Sequence, residues 1–310
     1  MTTAFVFPGQ GSQSVGMLND LVDLKVVQDT VAEASEALSL DLMSMMKNGP
    51  IEELNLTVNT QPVMLTASIA AYRAWLEAGG AKPTLMAGHS LGEYSALTAS
   101  GVFSLSDAVK LVRIRATAMQ SAVPVGVGGM AAILGLDDDT VKFVCETAQA
   151  EVTGEVVQAV NFNSPGQVVI AGHKAAVEKA CELAKAAGAK RALVLPVSAP
   201  FHSVLLKPAA DVLAEALVKV EMNAPQISVV NNVDVSVETD LAKIRDALVR
   251  QAWNPVRWVE CVTYMAEQGV TDVVECGPGK VLAGLAKRID ARVMGHALVD
   301  QASLATILKI

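Results

Sequence analysis

The stretch Gly88-His89-Ser90-Leu91-Gly92 matches the pattern GxSxG inside "TLMAGHSLGEYSALTASG". An apolar run precedes it and a helix-forming run follows, the strand–turn–helix setting of a nucleophile elbow. Flanking glycines permit the tight turn that would lift the Ser90 hydroxyl to a helix N-terminus, where the dipole favours developing negative charge. The Leu91 N–H, at that same terminus, would donate to an oxyanion. A serine of this kind needs a base, and the chain has four histidines: His89, His173, His202 and His296. His89 lies within the elbow and points away from the nucleophile. His173 falls in a hairpin-to-helix loop, and His296 lies near the C-terminus in "MGHALVD". His202, in "LPVSAPFHS", follows an apolar strand at the type of strand-end loop where reactive groups collect. The expected pair is Ser90 with His202.

A third partner does not emerge. An α/β-hydrolase places an acid between serine and histidine in chain order. Between Ser90 and His202 the acids fall in helices or in an inserted unit, and none marks a strand end of the main body. The imidazole is therefore expected to be oriented by a neutral acceptor such as a backbone carbonyl.

The elements that must position these groups read as α/β. Ala4 to Phe7 is a short apolar run cut by Pro8-Gly9, a buried strand ending in a tight loop. Helical periodicity spans about Asn19 to Leu42 and Thr60 to Ala78, and a further helix capped by Ser106 or Asp107 runs to about Val123. Beyond Pro124 the order becomes β-α-β-β-α-β: "GGMAAILG", "DDDTVKFVCETAQA", "VVQAVNF", "QVVIAG", "KAAVEKACELAKAAG" and "RALVLPV". That order is the ferredoxin-like signature. The predicted architecture is an α/β-hydrolase-like catalytic body, residues 1–123 and 197–310, carrying a ferredoxin-like subdomain at 124–196.

Composition narrows the class. The chain has 310 residues, 52% of them hydrophobic and 18% charged, with mean hydropathy +0.39, which excludes a disordered chain. Lys+Arg 24 against Asp+Glu 32 gives a net charge of −8, a poor footprint for nucleic acid. Apolar runs stop well short of the ~18 residues of a membrane span, so no membrane partner is expected. Four cysteines without CxxC spacing fit a reducing compartment, the cytoplasm, better than a disulfide frame or a zinc site.

"FVFPGQGSQ", "GHSLGEYSAL", "VRIRATAMQ", "AVNFNSPGQVVIAG", "PVSAPFHS", "QAWNPVRW" and "ECGPGKVL" together resemble, in order and over essentially the whole chain, the malonyl-CoA:acyl carrier protein transacylases of fatty acid synthesis. The resemblance implies ping-pong transfer of a malonyl group from malonyl-CoA through Ser90, with His202 as base, to the phosphopantetheine thiol of acyl carrier protein. It implies no metal and no bound cofactor. Gln10 resembles a side-chain support of the oxyanion hole that the Leu91 N–H completes. Gln251 resembles the residue whose carbonyl orients the histidine, and Arg115 the guanidinium that pairs with the free malonyl carboxylate. Phe201 stands just before the histidine, where a bulky ring would crowd an α-methyl branch. The rival readings are a serine hydrolase or thioesterase, and malonyl loading for polyketide synthesis. Because the carrier is also expected to be acidic, a local basic patch should receive it. Lys190 and Arg191, with Lys287 and Arg288, are the candidate cations.

Overall fold

The computed structural model describes residues 2–197 and 199–310. Ser198, within "PVSAPFHS" at the start of the second body segment, lies outside the described residues. Two separate sheets organise the chain. The first holds β1 (Thr3–Phe7), β2 (Leu85–Gly88), β7 (Ser228–Val230), β8 (Asp272–Cys276) and β9 (Met294–Leu298), all parallel, in the order β7-β2-β1-β8-β9. The second holds β3 (Gly128–Leu134), β4 (Val157–Ser164), β5 (Gln167–His173) and β6 (Arg191–Val194), antiparallel, in the order β4-β5-β3-β6.

The continuous apolar reading of the parallel strands has a direct cause: both faces are covered. Side chains alternate across a strand. Phe5 and Phe7 enter a large cluster with Tyr72 and Trp75 of helix Thr57–Glu77, whereas Ala4 and Val6 enter another with Trp258 and Leu282. Met86 of β2 and Val274 of β8 join the first cluster, and Ala87 and Val273 join the second. The sheet is thus the middle of three layers.

The antiparallel sheet carries helices Asp138–Glu151 and Lys174–Ala186 on one face, packed over Ala131, Ile133, Val168 and Ile170. Met130, Val160, Val169 and Ala171 form its other face, which meets Leu195, Val197 and Phe201. Its outer strand is stitched to the main body where Phe162 N–H donates to the Val256 carbonyl at 3.0 Å and Val256 N–H to the Val160 carbonyl at 2.8 Å. No helix among the described residues is long and apolar enough to cross a membrane.

Boundaries differ in detail from those expected. The first helix begins at Lys25, after a run of turns, and not near Asn19. The helix expected to start at Ser106 or Asp107 is Leu105–Ser121, capped by Ser104, whose Oγ accepts the Asp107 N–H at 3.0 Å. Ser104 is extended (φ −66°, ψ 153°), as an N-cap requires.

Candidate active site

The loop between β2 and helix Leu91–Ala99 bends at Ser90, with φ 54° and ψ −107°. A non-glycine residue there is strained, and such strain persists only when the surroundings enforce it. They do. A Cβ at Gly88 would sit 1.8 Å from the Gly92 carbonyl carbon, and one at Gly92 would sit 2.0 Å from the Phe7 carbonyl oxygen. Only glycine on both sides of Ser90 lets strand, turn and helix approach this closely. Asn232, just beyond β7, clamps the bend: its Oδ1 accepts the Ser90 N–H and its Nδ2 donates to the Gly88 carbonyl, each at 2.8 Å. Ser90 Oγ is thereby aimed into a cleft of about 640 Å³ between the two sheets.

His202 meets the serine from the other side. Its Nε2 lies 2.7 Å from Ser90 Oγ, and its Nδ1 lies 2.8 Å from the Gln251 backbone carbonyl. A carbonyl only accepts, so Nδ1 carries the proton and Nε2 presents a lone pair to the serine hydroxyl. Burial, followed by the charge of Arg115, pushes the imidazole pKa down to about 3 and keeps the ring neutral at neutral pH. His202 also sits at positive φ, 64°, a second strained residue facing the first.

Arg115, on helix Leu105–Ser121, is 2% exposed. Its Nη2 donates to Ser90 Oγ at 3.1 Å and to Gln251 Oε1 at 3.0 Å, and its Nη1 donates to Gln61 Oε1 at 2.9 Å. The guanidinium also lies over the Tyr94 ring, 5.2 Å from its centroid. Its Nε is buried without a partner, and desolvation lowers its pKa. A buried cation whose hydrogen bonds go to neutral oxygens is costly unless an anion joins it.

Ser90, His202, Arg115, Gln251, Gln10 and Leu91 therefore converge on one site. Leu91 opens its helix, where first-turn N–H groups have no intrahelical acceptor. Gln10 lines the same cleft, and its Nε2 donates to Thr57 Oγ1 over a long 3.3 Å. Phe201 packs both on the antiparallel-sheet side with Met130 and Val169 and on the body side with Met119 and Leu206. The four candidate cations Lys190, Arg191, Lys287 and Arg288 are exposed. None of the four lines the cleft. Leu195–Val197 line the cleft, whereas Arg191 is at the opposite end of β6, four residues or ~13 Å back along the chain. Arg288 follows the cleft-lining Leu285 by three residues, about 4.5 Å along its helix.

Sequence reasoning missed Asn232, Gln61 and Glu93. Glu93 is buried, accepts from the Asn232 N–H at 2.9 Å and from Gln251 Nε2 at 3.0 Å, and is pushed by burial up to about 7. It stands three residues after the serine, inside a helix and not at the strand end where a hydrolase acid would lie. Of the remaining histidines, His89 lines the same cleft with its Nε2 2.8 Å from Asn163 Oδ1, whereas His173 Nδ1 accepts the Val156 N–H and His296 pairs with Asp272.

A sequence model described as the acyl transferase domain matches residues 4–304. The malonyl CoA-acyl carrier protein transacylase of Escherichia coli K12 is 58% identical over 99% of both chains, and that of Bacillus subtilis is 46% identical over 96% of this chain and 93% of its own. Among solved structures, the acyl-carrier-protein S-malonyltransferase of Burkholderia pseudomallei superposes with a TM-score of 0.98 at 65% identity, covering all of both chains. A malonyl-transacylase solved in complex with its type II polyketide-synthase acyl-carrier protein gives a TM-score of 0.97 at 54% identity, covering 100% of this chain and 99% of its own. With the match spanning nearly every residue, the chain belongs to the family of malonyl CoA-acyl carrier protein transacylases.

Proposed function

We propose that this protein takes the malonyl group of malonyl-CoA onto Ser90 and passes it to the phosphopantetheine thiol of an acyl carrier protein, supplying fatty acid synthesis. The observation that carries this reading is Arg115. A desolvated guanidinium 3.1 Å from the nucleophile oxygen, bonded to neutral oxygens, is matched to an acyl group that brings its own carboxylate. An uncharged acyl group would leave it unpaired.

In the first half-reaction the Ser90 hydroxyl gives its proton to His202 Nε2 as Oγ attacks the thioester carbon. The oxyanion forms beside the Leu91 N–H and Gln10, whose long contact to Thr57 gives way. Collapse breaks the C–S bond, and the coenzyme A thiolate takes the proton from His202. In the second half-reaction the carrier's thiol delivers its proton to His202 and attacks the malonyl-serine ester, and Ser90 leaves as the hydroxyl. Protons and electron pairs balance within these groups, so the steps call for no metal or bound cofactor. The Phe201 ring, where an α-methyl branch would lie, favours malonyl over methylmalonyl. Arg191 and Arg288, with Lys190 and Lys287, supply local positive charge for an acidic carrier. The four cysteines are free and buried, which suits the reducing cytoplasm.

The same reading assigns residues 1–123 and 197–310 to an α/β-hydrolase-like body and 124–196 to a ferredoxin-like subdomain. The support is the run of β3 to β6 with their two helices and the sheet order β4-β5-β3-β6.

Intact mass after mixing with malonyl-CoA tests the proposal. One added malonyl group, absent in Ser90→Ala, is expected. An unmodified wild-type mass, or an adduct that persists in Ser90→Ala, overturns it.

A further inference from the structure

Glu93 does not touch the reacting atoms, yet it holds the two residues that position them. It lies in the first turn of helix Leu91–Ala99 and is 2% exposed. A single atom, Oε2, accepts both the Asn232 N–H at 2.9 Å and a Gln251 Nε2 hydrogen at 3.0 Å. Asn232 clamps the Ser90 bend. Gln251 holds His202 through its backbone carbonyl and Arg115 through its side-chain oxygen. One carboxylate oxygen therefore ties the loop beyond β7 to helix Leu241–Gln251 directly beneath the nucleophile.

The Gln251 carboxamide has one sensible orientation. Its Nε2 donates to the Ser90 carbonyl at 2.8 Å and to Glu93, while its Oε1 receives Arg115 Nη2. Rotated by half a turn, it would set oxygen against two acceptors and its N–H groups against a guanidinium. Glu93 is thus half of what fixes the end facing Arg115. Building on the malonyl-serine reading above, we propose that Glu93 is a positioning residue for acyl-group selection, holding the Gln251 carboxamide so that its oxygen sets the Arg115 guanidinium for the malonyl carboxylate. His202 depends less on this bridge, because it hangs on the Gln251 backbone at the end of a helix.

The test compares Glu93→Ala, Glu93→Asp and Glu93→Gln by kcat/KM for acyl loading from malonyl-CoA and from acetyl-CoA, with thermal unfolding to verify folding. Glutamine places an uncharged oxygen within reach of both donors, whereas aspartate keeps the charge and loses one methylene of reach. The malonyl-to-acetyl ratio should fall about tenfold in Glu93→Ala and Glu93→Asp and return to within about threefold of wild type in Glu93→Gln. If Glu93→Ala does not fold, the Asp–Gln contrast carries the same test. An unchanged ratio in all variants, with both substrates slowed alike, would make Glu93 a packing residue and overturn the proposal. Rescue by Asp and not Gln would make it a counter-charge for Arg115 and overturn it equally. A wild type that acquires no malonyl group sinks the underlying reaction instead, an outcome seen before any variant is compared.

Discussion

The two sheets meet at one cleft but are built on opposite principles. Around the parallel sheet the buried interior is polar where it matters: Glu93, Arg115, His202, Asn232 and Gln251 are all nearly inaccessible and bonded to one another. Two residues there, Ser90 and His202, hold positive φ without being glycine. The interior between the antiparallel sheet and its helices is hydrocarbon, from Ala131 and Ile133 through Val168 and Ile170 to Val177. The contrast teaches where chemistry and stability reside. A buried polar network fixes a unique geometry at an energetic cost, and an apolar core offsets such costs. On this account the parallel-sheet body performs the reaction and the antiparallel unit supplies a wall.

Substitutions can break or sharpen that division. Ser90→Ala should lower single-turnover malonyl loading by about a thousandfold or more, since the covalent step has no substitute nucleophile. Arg115→Ala should cost on the order of 1.5–3 kcal/mol, about ten- to a hundredfold in kcat/KM for malonyl-CoA, while acetyl-CoA gains in relative terms. Equal losses on both substrates would make Arg115 structural. Reversing two cations together, Arg191→Glu with Arg288→Glu, should slow transfer to the carrier only severalfold, at the association step, with malonyl loading retained. Neither cation lines the cleft, so their influence is on encounter and should fade with added salt.

The pH profile separates the regions further. The His202 pKa is lowered to about 3, so its basic form is present above that value. The kcat/KM for loading should therefore change by less than about threefold between pH 7 and pH 5, where an ordinary imidazole would lose about twenty-fivefold. The same shift makes His202 add to folding stability as pH rises from about 3 towards 6.5, because the unfolded chain binds the proton the folded one refuses. An acid limb near pH 6.5 would contradict the buried, neutral ring. Smallest of all should be the kinetic effect of Ile170→Ala, in the apolar core behind the wall. It should cost about 2–5 kcal/mol in thermal or denaturant unfolding yet leave loading by the folded protein within about twofold.

Most of what could be read early was local. The elbow was legible because glycine, serine and glycine sit within five residues and their turn needs all three. His202 was legible by elimination among four histidines. The β-α-β-β-α-β order was legible because each element carries its own period and turn residues. Asn232 and Gln61 were not, because their meaning lies in partners 142 and 54 residues away. "VVNNV" looks like any strand end until β7 is laid beside β2. The strand Met294–Leu298 and the closing helix Gln301–Ile307 were also missed. Both are short, and the helix is started by an Asp300–Ser303 capping box in place of the commoner acidic or amide partner.

The central claim is that malonyl rests on Ser90 between two thiols. It is tested most directly by isolating the malonylated enzyme, free of malonyl-CoA, and adding holo acyl carrier protein under mass detection. The account predicts that the malonyl mass leaves Ser90 and appears on the phosphopantetheine thiol in equal amount, faster than water removes it. Release of free malonate with the carrier unmodified would contradict it and make the protein a hydrolase.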